Sequence, residues 1–173
     1  MLILITGLPG AGKTTLARAL AARLGALHLN TDVLRREMGL LGQYRPEDKK
    51  QVYAQLLERA RTALLEGQTV VLDSTFFLET IRAPFRRLAE ACRVPLYWVE
   101  VQAQERRIRE RLQHPRPDSE ADAAVFEKIK AAYEPLPEPH LVLHTDEQPL
   151  DTLLATVDAY LQTQREKPSN HDA

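Results

Sequence analysis

The sequence predicts an α/β protein of three layers, α/β/α, in which helices cover both faces of a five-stranded, mostly parallel sheet. Short apolar runs alternate along the chain with amphipathic helical segments, the pattern of successive βα units. The first run, "LILIT" at residues 2–6, is apolar throughout, as expected of a strand buried on both faces. A length of 173 residues suits one domain with a substantial core.

The remaining elements follow from the periodicity and its interruptions. A helix at 13–24 carries Leu16, Leu20 and Leu24 at a spacing of four and stops at Gly25. The later strands are expected at residues 26–30, 69–73, 95–101 and 140–145. The later helices are expected at residues 32–39, 47–66, 80–92, 104–112, 119–133 and 149–162.

Capping residues and tail composition set the last boundaries. Ser119 opens the helix at 119–133, with Asp122 three residues later as in a capping box. Residues 163–173 are polar and predict a flexible tail, so a single domain is expected over residues 1–162.

Charge and cysteine content limit the classes of partner and compartment. The formal net charge is −1, which disfavours duplex nucleic acid held by bulk charge and leaves a local basic groove open. Cys92 is the single cysteine, so no intrachain disulfide forms and a reducing compartment is the simplest fit. Since no apolar stretch approaches membrane-spanning length, we expect a cytoplasmic protein without a membrane partner. The oligomeric state is left open.

The strongest motif follows the first strand directly. In "GLPGAGKTT", Gly7, Gly12, Lys13 and Thr14 satisfy G-x-x-x-x-G-K-[ST], the P-loop of nucleoside-triphosphate-binding proteins. The glycines let backbone amides curl around phosphate oxygens, and the next helix directs its positive end at the same anion. The residues expected to contact ATP here are Gly7, Pro9, Gly10, Ala11, Gly12, Lys13, Thr14 and Thr15.

Three side chains of the P-loop have expected roles. Lys13 would reach the β- and γ-phosphates and take part in catalysis, and the Thr14 hydroxyl would bind Mg²⁺. Thr15 either contacts the α-phosphate or merely begins the helix. The alternative, an ordinary glycine-rich βα turn, fits less well because the motif lies between a strand and a helix.

Absent motifs narrow the class of nucleotide protein. The sequence contains no N-K-x-D stretch, the motif that recognises guanine, and no D-x-x-G switch after the third strand. Their absence argues against a GTPase. The chain is too short for most AAA+ or ABC modules. A small kinase remains, in which catalysis consists of positioning and charge neutralisation.

Acidic residues follow the second and third strands, at the edge where sites of α/β sheets collect. Asp32 would accept the proton of the acceptor hydroxyl or, alternatively, cap the next helix. Arg35 would bind a substrate phosphate or be a solvated helix charge. Asp73 ends an apolar strand and would hold Mg²⁺ or form a turn. Ser74 and Thr75 could hydrogen-bond substrate.

A basic segment at residues 104–118 predicts an arginine-rich lid. Arg107 and Arg111 share a helix face, and prolines follow, so the segment could close over the γ-phosphate. The alternative is a solvated basic helix whose partners are Glu105 and Glu110. The arginines concerned are Arg106, Arg107, Arg109, Arg111 and Arg116.

Four stretches in order resemble a known group of proteins: "GLPGAGKTTLARALAARLG", "LNTDVLRREM", "VVLDSTFFLETIRAPFRRLA" and "RIRERL". The chain resembles the P-loop kinases grouped with the kinase domain of phage polynucleotide kinase and the zeta toxins, over about residues 1–162. Adenylylsulfate kinases are similar over the first 40 residues. The resemblance implies an ATP-dependent phosphotransferase with a P-loop NTPase fold.

The resemblance also implies roles for particular residues. Asp32 matches the general base, Arg35 an arginine that contacts the acceptor's 3′-phosphate, and Asp73 a residue of the strand-three site. Arg82 matches a recurrent substrate-site arginine. Among the lid arginines Arg111 matches best, and Arg107, Arg109 and Arg116 compete for the second position. Arg111 and Arg116 are expected to contact ATP. The adenine is expected between the lid and the loop at 144–149.

The acceptor stays open at the level of sequence. A 5′-hydroxyl of nucleic acid competes with a small molecule, and the near-neutral net charge mildly favours the small molecule. A nucleotide-binding regulatory module and one half of a toxin–antitoxin pair are the alternatives to an enzyme.

Overall fold

The computed structural model describes residues 1–43, 45–114 and 122–166. Five strands alternate with helices along these residues. The strands are β1 (Leu2–Thr6), β2 (Leu27–Asn30), β3 (Val70–Asp73), β4 (Leu96–Gln102) and β5 (Leu141–His144). The helices are α1 (Lys13–Leu24), α2 (Thr31–Glu37), α3 (Pro46–Leu65), α4 (Glu79–Cys92), α5 (Glu105–Leu112), α6 (Ala123–Ala131) and α7 (Leu150–Glu166).

The five strands form one sheet in the order β2-β3-β1-β4-β5, and every pairing is parallel. The predicted three-layer α/β/α fold is therefore confirmed. β1 is the central strand: Leu2 lies opposite Val70 of β3 and Leu96 of β4. From β1 the chain passes to β2 on one side, and β5 lies on the other. The carboxyl end of β1 is thus the switch point at which open α/β sheets bind ligands.

Two apolar layers flank the sheet because successive side chains of each strand point to opposite faces. Ile3 and Ile5 pack in the layer that contains α1 and α7. Leu2 and Leu4 pack in the layer that contains α3 and α4. All four are fully buried, which explains the uninterrupted apolar run in the sequence.

Most predicted boundaries agree with the structure within two residues. Two helices, α6 and α7, differ by more. α6 begins at Ala123 with Asp122 as its N-cap: the Asp122 carboxylate accepts the N–H of Val125 at 2.9 Å. Ser119 lies outside the described residues. α7 continues to Glu166, four residues beyond the expected 162, and residues 167–173 of the expected tail lie outside the described residues.

Among the helices that the structure describes, none has both the length and the apolar character needed to cross a membrane.

Candidate active site

The P-loop turn between β1 and α1 depends on glycine at two positions. At Gly7 the backbone φ is +138°, and a Cβ there would lie 2.2 Å from the carbonyl oxygen of Val101 in β4. At Gly12 φ is +101°, and a Cβ would lie 3.1 Å from Oγ1 of Thr145. The left-handed backbone at both positions and the β4 carbonyl beside Gly7 therefore favour glycine.

The P-loop directs the amino end of α1 toward a cavity. Gly12 caps α1 without any side-chain hydrogen bond, so the first N–H groups of the helix face outward at its positive end. The Lys13 ammonium, 9% exposed, donates to the carbonyl of Leu8 at 2.9 Å, which holds it across the turn. Thr14 and Thr15 line the same cavity. This geometry can accept a phosphate chain.

Arg111 of α5 and Thr145, which follows β5, connect two distant segments to the P-loop. The Arg111 guanidinium donates to the Gly10 carbonyl and to Thr145 Oγ1, both at 3.1 Å. Thr145 Oγ1 donates to the Ala11 carbonyl at 2.5 Å. Sequence reasoning selected Arg111 but missed Thr145, whose partner lies 134 residues away along the chain.

Asp73 ends β3 as a buried carboxylate with one oxygen available. Its side chain is 1% exposed, and Oδ2 accepts a hydrogen bond from Asn30 Nδ2 at 2.6 Å. The Nε2 atom of His28 lies 3.7 Å from the same oxygen. Within the described residues Oδ1 is buried and receives no hydrogen bond, and Asp73 lines the cavity. A buried carboxylate oxygen without a donor can bind a cation.

Asn30 organises the first turn of α2, and sequence reasoning missed it. Its Oδ1 accepts the N–H of Asp32 at 2.7 Å and that of Val33 at 3.0 Å, so Asn30 is the N-cap of α2. The alternative that Asp32 caps the helix is therefore wrong. Asp32 lies in the first turn and lines the cavity. Asparagine before a predicted helix start is the signal that would have identified the cap.

Tyr53 of α3 closes a hydroxyl network beside the two acids. Its phenol oxygen lies 2.7 Å from Ser74 Oγ, and Ser74 Oγ also accepts a hydrogen bond from Thr31 Oγ1 at 3.1 Å. Burial raises the pKa of Tyr53, so the phenol stays neutral at physiological pH and can serve as a donor. Thr75 also lines the cavity, and its carbonyl accepts the Thr6 hydroxyl at 2.6 Å.

Arg35 is buried rather than solvated. It is 6% exposed, its guanidinium donates to the Gln43 carbonyl, and it lines the cavity from α2. The alternative of a solvated helix charge is therefore wrong.

Several predicted residues lie away from the cavity walls. Arg82 is fully buried and donates to the carbonyls of Glu134 and Pro135 at 2.8 and 3.3 Å, so its guanidinium fastens α4 to the segment before β5. The Arg107 side chain is 53% exposed and pairs with Glu110 at 3.0 Å, as the solvated-helix alternative expected. Arg116 lies outside the described residues. Gly7 and Ala11 are buried beneath the turn.

The cavity, of about 650 Å³, joins these groups into one site. At one side it is bounded by Lys49 and Tyr53 of α3 and by Lys128 and Ile129 of α6. Elsewhere on its wall lie residues of the β5–α7 region and of the P-loop and its following helix: Pro9, Gly10, Gly12, Leu16, Thr145, Gln148, Leu150 and Leu153.

A family model described as AAA domain matches residues 2–136, which includes the P-loop, both acids and Arg111. The chain belongs to this AAA domain family. The short chain argued against most AAA+ modules. The match to a family described as AAA domain shows that chain length alone does not exclude membership of such a family. The finer prediction of a polynucleotide kinase or zeta toxin group stays a prediction.

Curated relatives match over part of their length. An uncharacterised protein of Mycobacterium tuberculosis is 40% identical over 100 residues, 51% of this chain and 20% of that protein. Cytidylate kinase of Caldicellulosiruptor bescii is 34% identical over 116 residues, 64% of this chain and 47% of that enzyme. The chain thus matches a fifth of the mycobacterial protein's length and about half of the kinase's.

Solved structures share the fold of this AAA domain protein. A sugar kinase of Janibacter aligns with a TM-score of 0.74 at 19% identity, over 93% of this chain and 94% of that one. Kti12 of Chaetomium thermophilum, in complex with ADP–AlF3, aligns with a TM-score of 0.72 at 24% identity, over 92% and 98%. The Mycobacterium tuberculosis adenylylsulfate kinase, in complex with AMPPNP and APS, aligns with a TM-score of 0.71 at 20% identity, over 93% and 96%.

Proposed function

We propose that this protein is an ATP-dependent kinase that transfers the γ-phosphoryl group of ATP to a hydroxyl of an acceptor. The observation that carries the proposal is the convergence of the P-loop, Asp32 and Asp73 on one cavity. A phosphoryl-transfer site needs a phosphate cradle, an acid for the metal and a base for the nucleophile. Kinases among the relatives and the structures with nucleotide analogues support the same reaction class.

The triphosphate would lie in the P-loop. The N–H groups at the start of α1 would bind its oxygens, and the phosphates would replace the Leu8 carbonyl as acceptor of the Lys13 ammonium. Arg111 reaches the cavity beside Gly10, where a second cation would oppose charge on the phosphates. We assign Arg107 no contact with the nucleotide, because its exposed side chain pairs with Glu110.

Asp73 and Thr14 fit a magnesium ion. Asp73 Oδ1, which is buried and without a hydrogen bond among the described residues, and the Thr14 hydroxyl line the same cavity and would supply oxygen ligands, the donor type that Mg²⁺ prefers. When bound, the ion would neutralise charge on the transferring phosphoryl group.

Asp32 would act as the general base. The acceptor oxygen forms a bond to the γ-phosphorus, the bond from that phosphorus to the β–γ bridging oxygen breaks, and ADP leaves with the electron pair. The acceptor proton passes to the Asp32 carboxylate. Because Asn30 caps α2, the Asp32 side chain is not needed for helix capping.

The test is transfer of radiolabelled γ-phosphate to 5′-hydroxyl RNA, 5′-hydroxyl DNA and a panel of metabolites. We expect one acceptor class to be labelled and Asp32→Asn to lower its rate by at least about a hundredfold while ATP still binds. Asp122→Asn, at an exposed helix cap, is the matched control and should keep the wild-type rate. Wild-type transfer by Asp32→Asn would contradict the base. ATP binding without transfer to any acceptor would favour a regulatory module.

A further inference from the structure

The cavity is strongly cationic although the whole chain is not. Among the residues that the structure describes, its lining holds five basic side chains and two carboxylates. The described part of the lining therefore has a formal charge of 5 − 2 = +3, against −1 for the whole chain. The seven residues are Lys13, Arg35, Lys49, Arg111, Lys128, Asp32 and Asp73.

Three of the cations come together from three helices. Arg35 lies on α2, Lys49 on α3 and Lys128 on α6, and we call them the basic triad. Burial, followed by the charges of Lys128 and Arg35, lowers the pKa of Lys49. Both charged neighbours that act on the Lys49 ammonium are cations, so each of them repels it in the folded protein. A bound anion would relieve this repulsion.

The nucleotide does not account for the basic triad. Lys13 and Arg111 lie at the P-loop and serve the phosphates there. ATP with one magnesium ion carries a formal charge of about −2, which leaves part of the +3 lining uncompensated. Asp32 and Arg35 both act on Tyr53, which lies one turn after Lys49 on α3, and Lys128 acts on Lys49, so the basic triad lies near Asp32.

We propose that the acceptor carries an anionic group, a phosphate, sulfate or carboxylate, and that Arg35, Lys49 and Lys128 bind it. This inference rests on the proposed kinase function. Arg35 offers a planar fork from a buried position, and the two lysines offer charge from the facing helices. The anion anchors the acceptor while its hydroxyl faces Asp32, so neutral acceptors of the same shape are discriminated against.

The first experiment measures anion binding without catalysis. The protein is saturated with AMPPNP and Mg²⁺, so that the P-loop is occupied, and inorganic sulfate is titrated by calorimetry. We expect one sulfate site whose Kd rises at least about tenfold in the double variant Lys49→Met, Lys128→Met. Lys50→Met, an exposed neighbour on α3 outside the cavity, is the matched control and should bind sulfate like the wild type. Absence of a sulfate site, or equal Kd values in all variants, would overturn the proposal.

The second experiment separates this inference from the kinase function. Acceptors are compared in pairs that differ in one anionic group: a nucleoside with its monophosphate or its phosphosulfate, and an aldose with its aldonate. We expect transfer only to the anionic members, with the acceptor KM raised at least about tenfold in the double variant and the KM for ATP unchanged. The acceptor that is phosphorylated shows whether the anionic group bound by the basic triad is a phosphate, a sulfate or a carboxylate. Transfer to neutral members alone would refute the basic triad and leave the kinase standing. ATP binding with no transfer at all would refute the kinase, and with it the role of the basic triad in binding an acceptor.

Discussion

Replacing Asn30 tests the link between the second and third strands. The Asn30 side chain makes three hydrogen bonds: Oδ1 accepts from Asp32 and Val33, and Nδ2 donates to Asp73 at 2.6 Å. Asn30→Ala loses the N-cap, at about 1 kcal/mol, and leaves a carboxylate oxygen buried without its donor, at about 1–3 kcal/mol. The expected loss in the free energy of unfolding is therefore about 2–4 kcal/mol, or about 5–15 °C in Tm.

Exchanging the side chains of residues 30 and 73 separates the structural role of Asp73 from its proposed catalytic role. Asn30→Asp keeps the cap but places two carboxylates together, so it should destabilise the fold strongly. In the double variant Asn30→Asp, Asp73→Asn, the new amide donates to the new carboxylate, which still caps α2. We expect stability to return within about 1 kcal/mol of the wild type, with a coupling energy of about 1–3 kcal/mol. Phosphoryl transfer should not return, because the carboxylate has left β3.

Urea unfolding followed by Trp98 fluorescence provides the assay, since Trp98 is buried in the core. Asp122→Ala is the matched control: it removes an N-cap with no carboxylate partner and should cost only about 1 kcal/mol. If Asn30→Ala had the same unfolding midpoint as the wild type, the hydrogen bonds of Asn30 would not contribute the expected stability. Recovered transfer in the exchanged variant would refute a requirement for a carboxylate at position 73.

Three further predictions concern the P-loop, α5 and acid stability. Gly7→Ala, whose Cβ would meet a β4 backbone carbonyl at 2.2 Å, should lower stability by more than about 3 kcal/mol in thermal melts; an unchanged Tm would contradict the close approach. Arg111→Ala should lower kcat at least about tenfold, whereas Arg107→Ala should leave it unchanged; equal kinetic effects would contradict the placement. The hydrogen bond from Arg45 lowers the pKa of Asp48 in the folded protein. The ionised Asp48 therefore stabilises the fold above the unfolded pKa of 3.8, and this stabilisation is lost as the pH falls through the lower folded pKa. Asp48→Asn should abolish that part of the acid transition in urea titrations, and an unchanged transition would contradict this role of Asp48.

Local sequence signals predicted the layers and the P-loop because these depend on neighbouring residues. The apolar run in β1 and the Gly-Lys-Thr turn need no knowledge of distant contacts. Asn30 was within reach, since its cap acts two and three residues away.

The remaining site residues depend on contacts between distant segments. Thr145 meets Ala11 across 134 positions, and Lys128 enters the cavity on α6, so neither stands out in its own segment. Arg82 lies in a stretch that matches known kinases, yet its guanidinium binds carbonyls 52 and 53 residues away. Similarity identified its position in the chain but not the contacts that it makes here.

The most direct test is a crystal structure of the protein with AMPPNP and Mg²⁺. Density for the triphosphate should fill the turn at residues 7–14, with the metal bound by Thr14 and Asp73 and the Asp32 carboxylate facing the γ-phosphate. An analogue bound elsewhere, or a terminal phosphate remote from Asp32 and Asp73, would contradict the account.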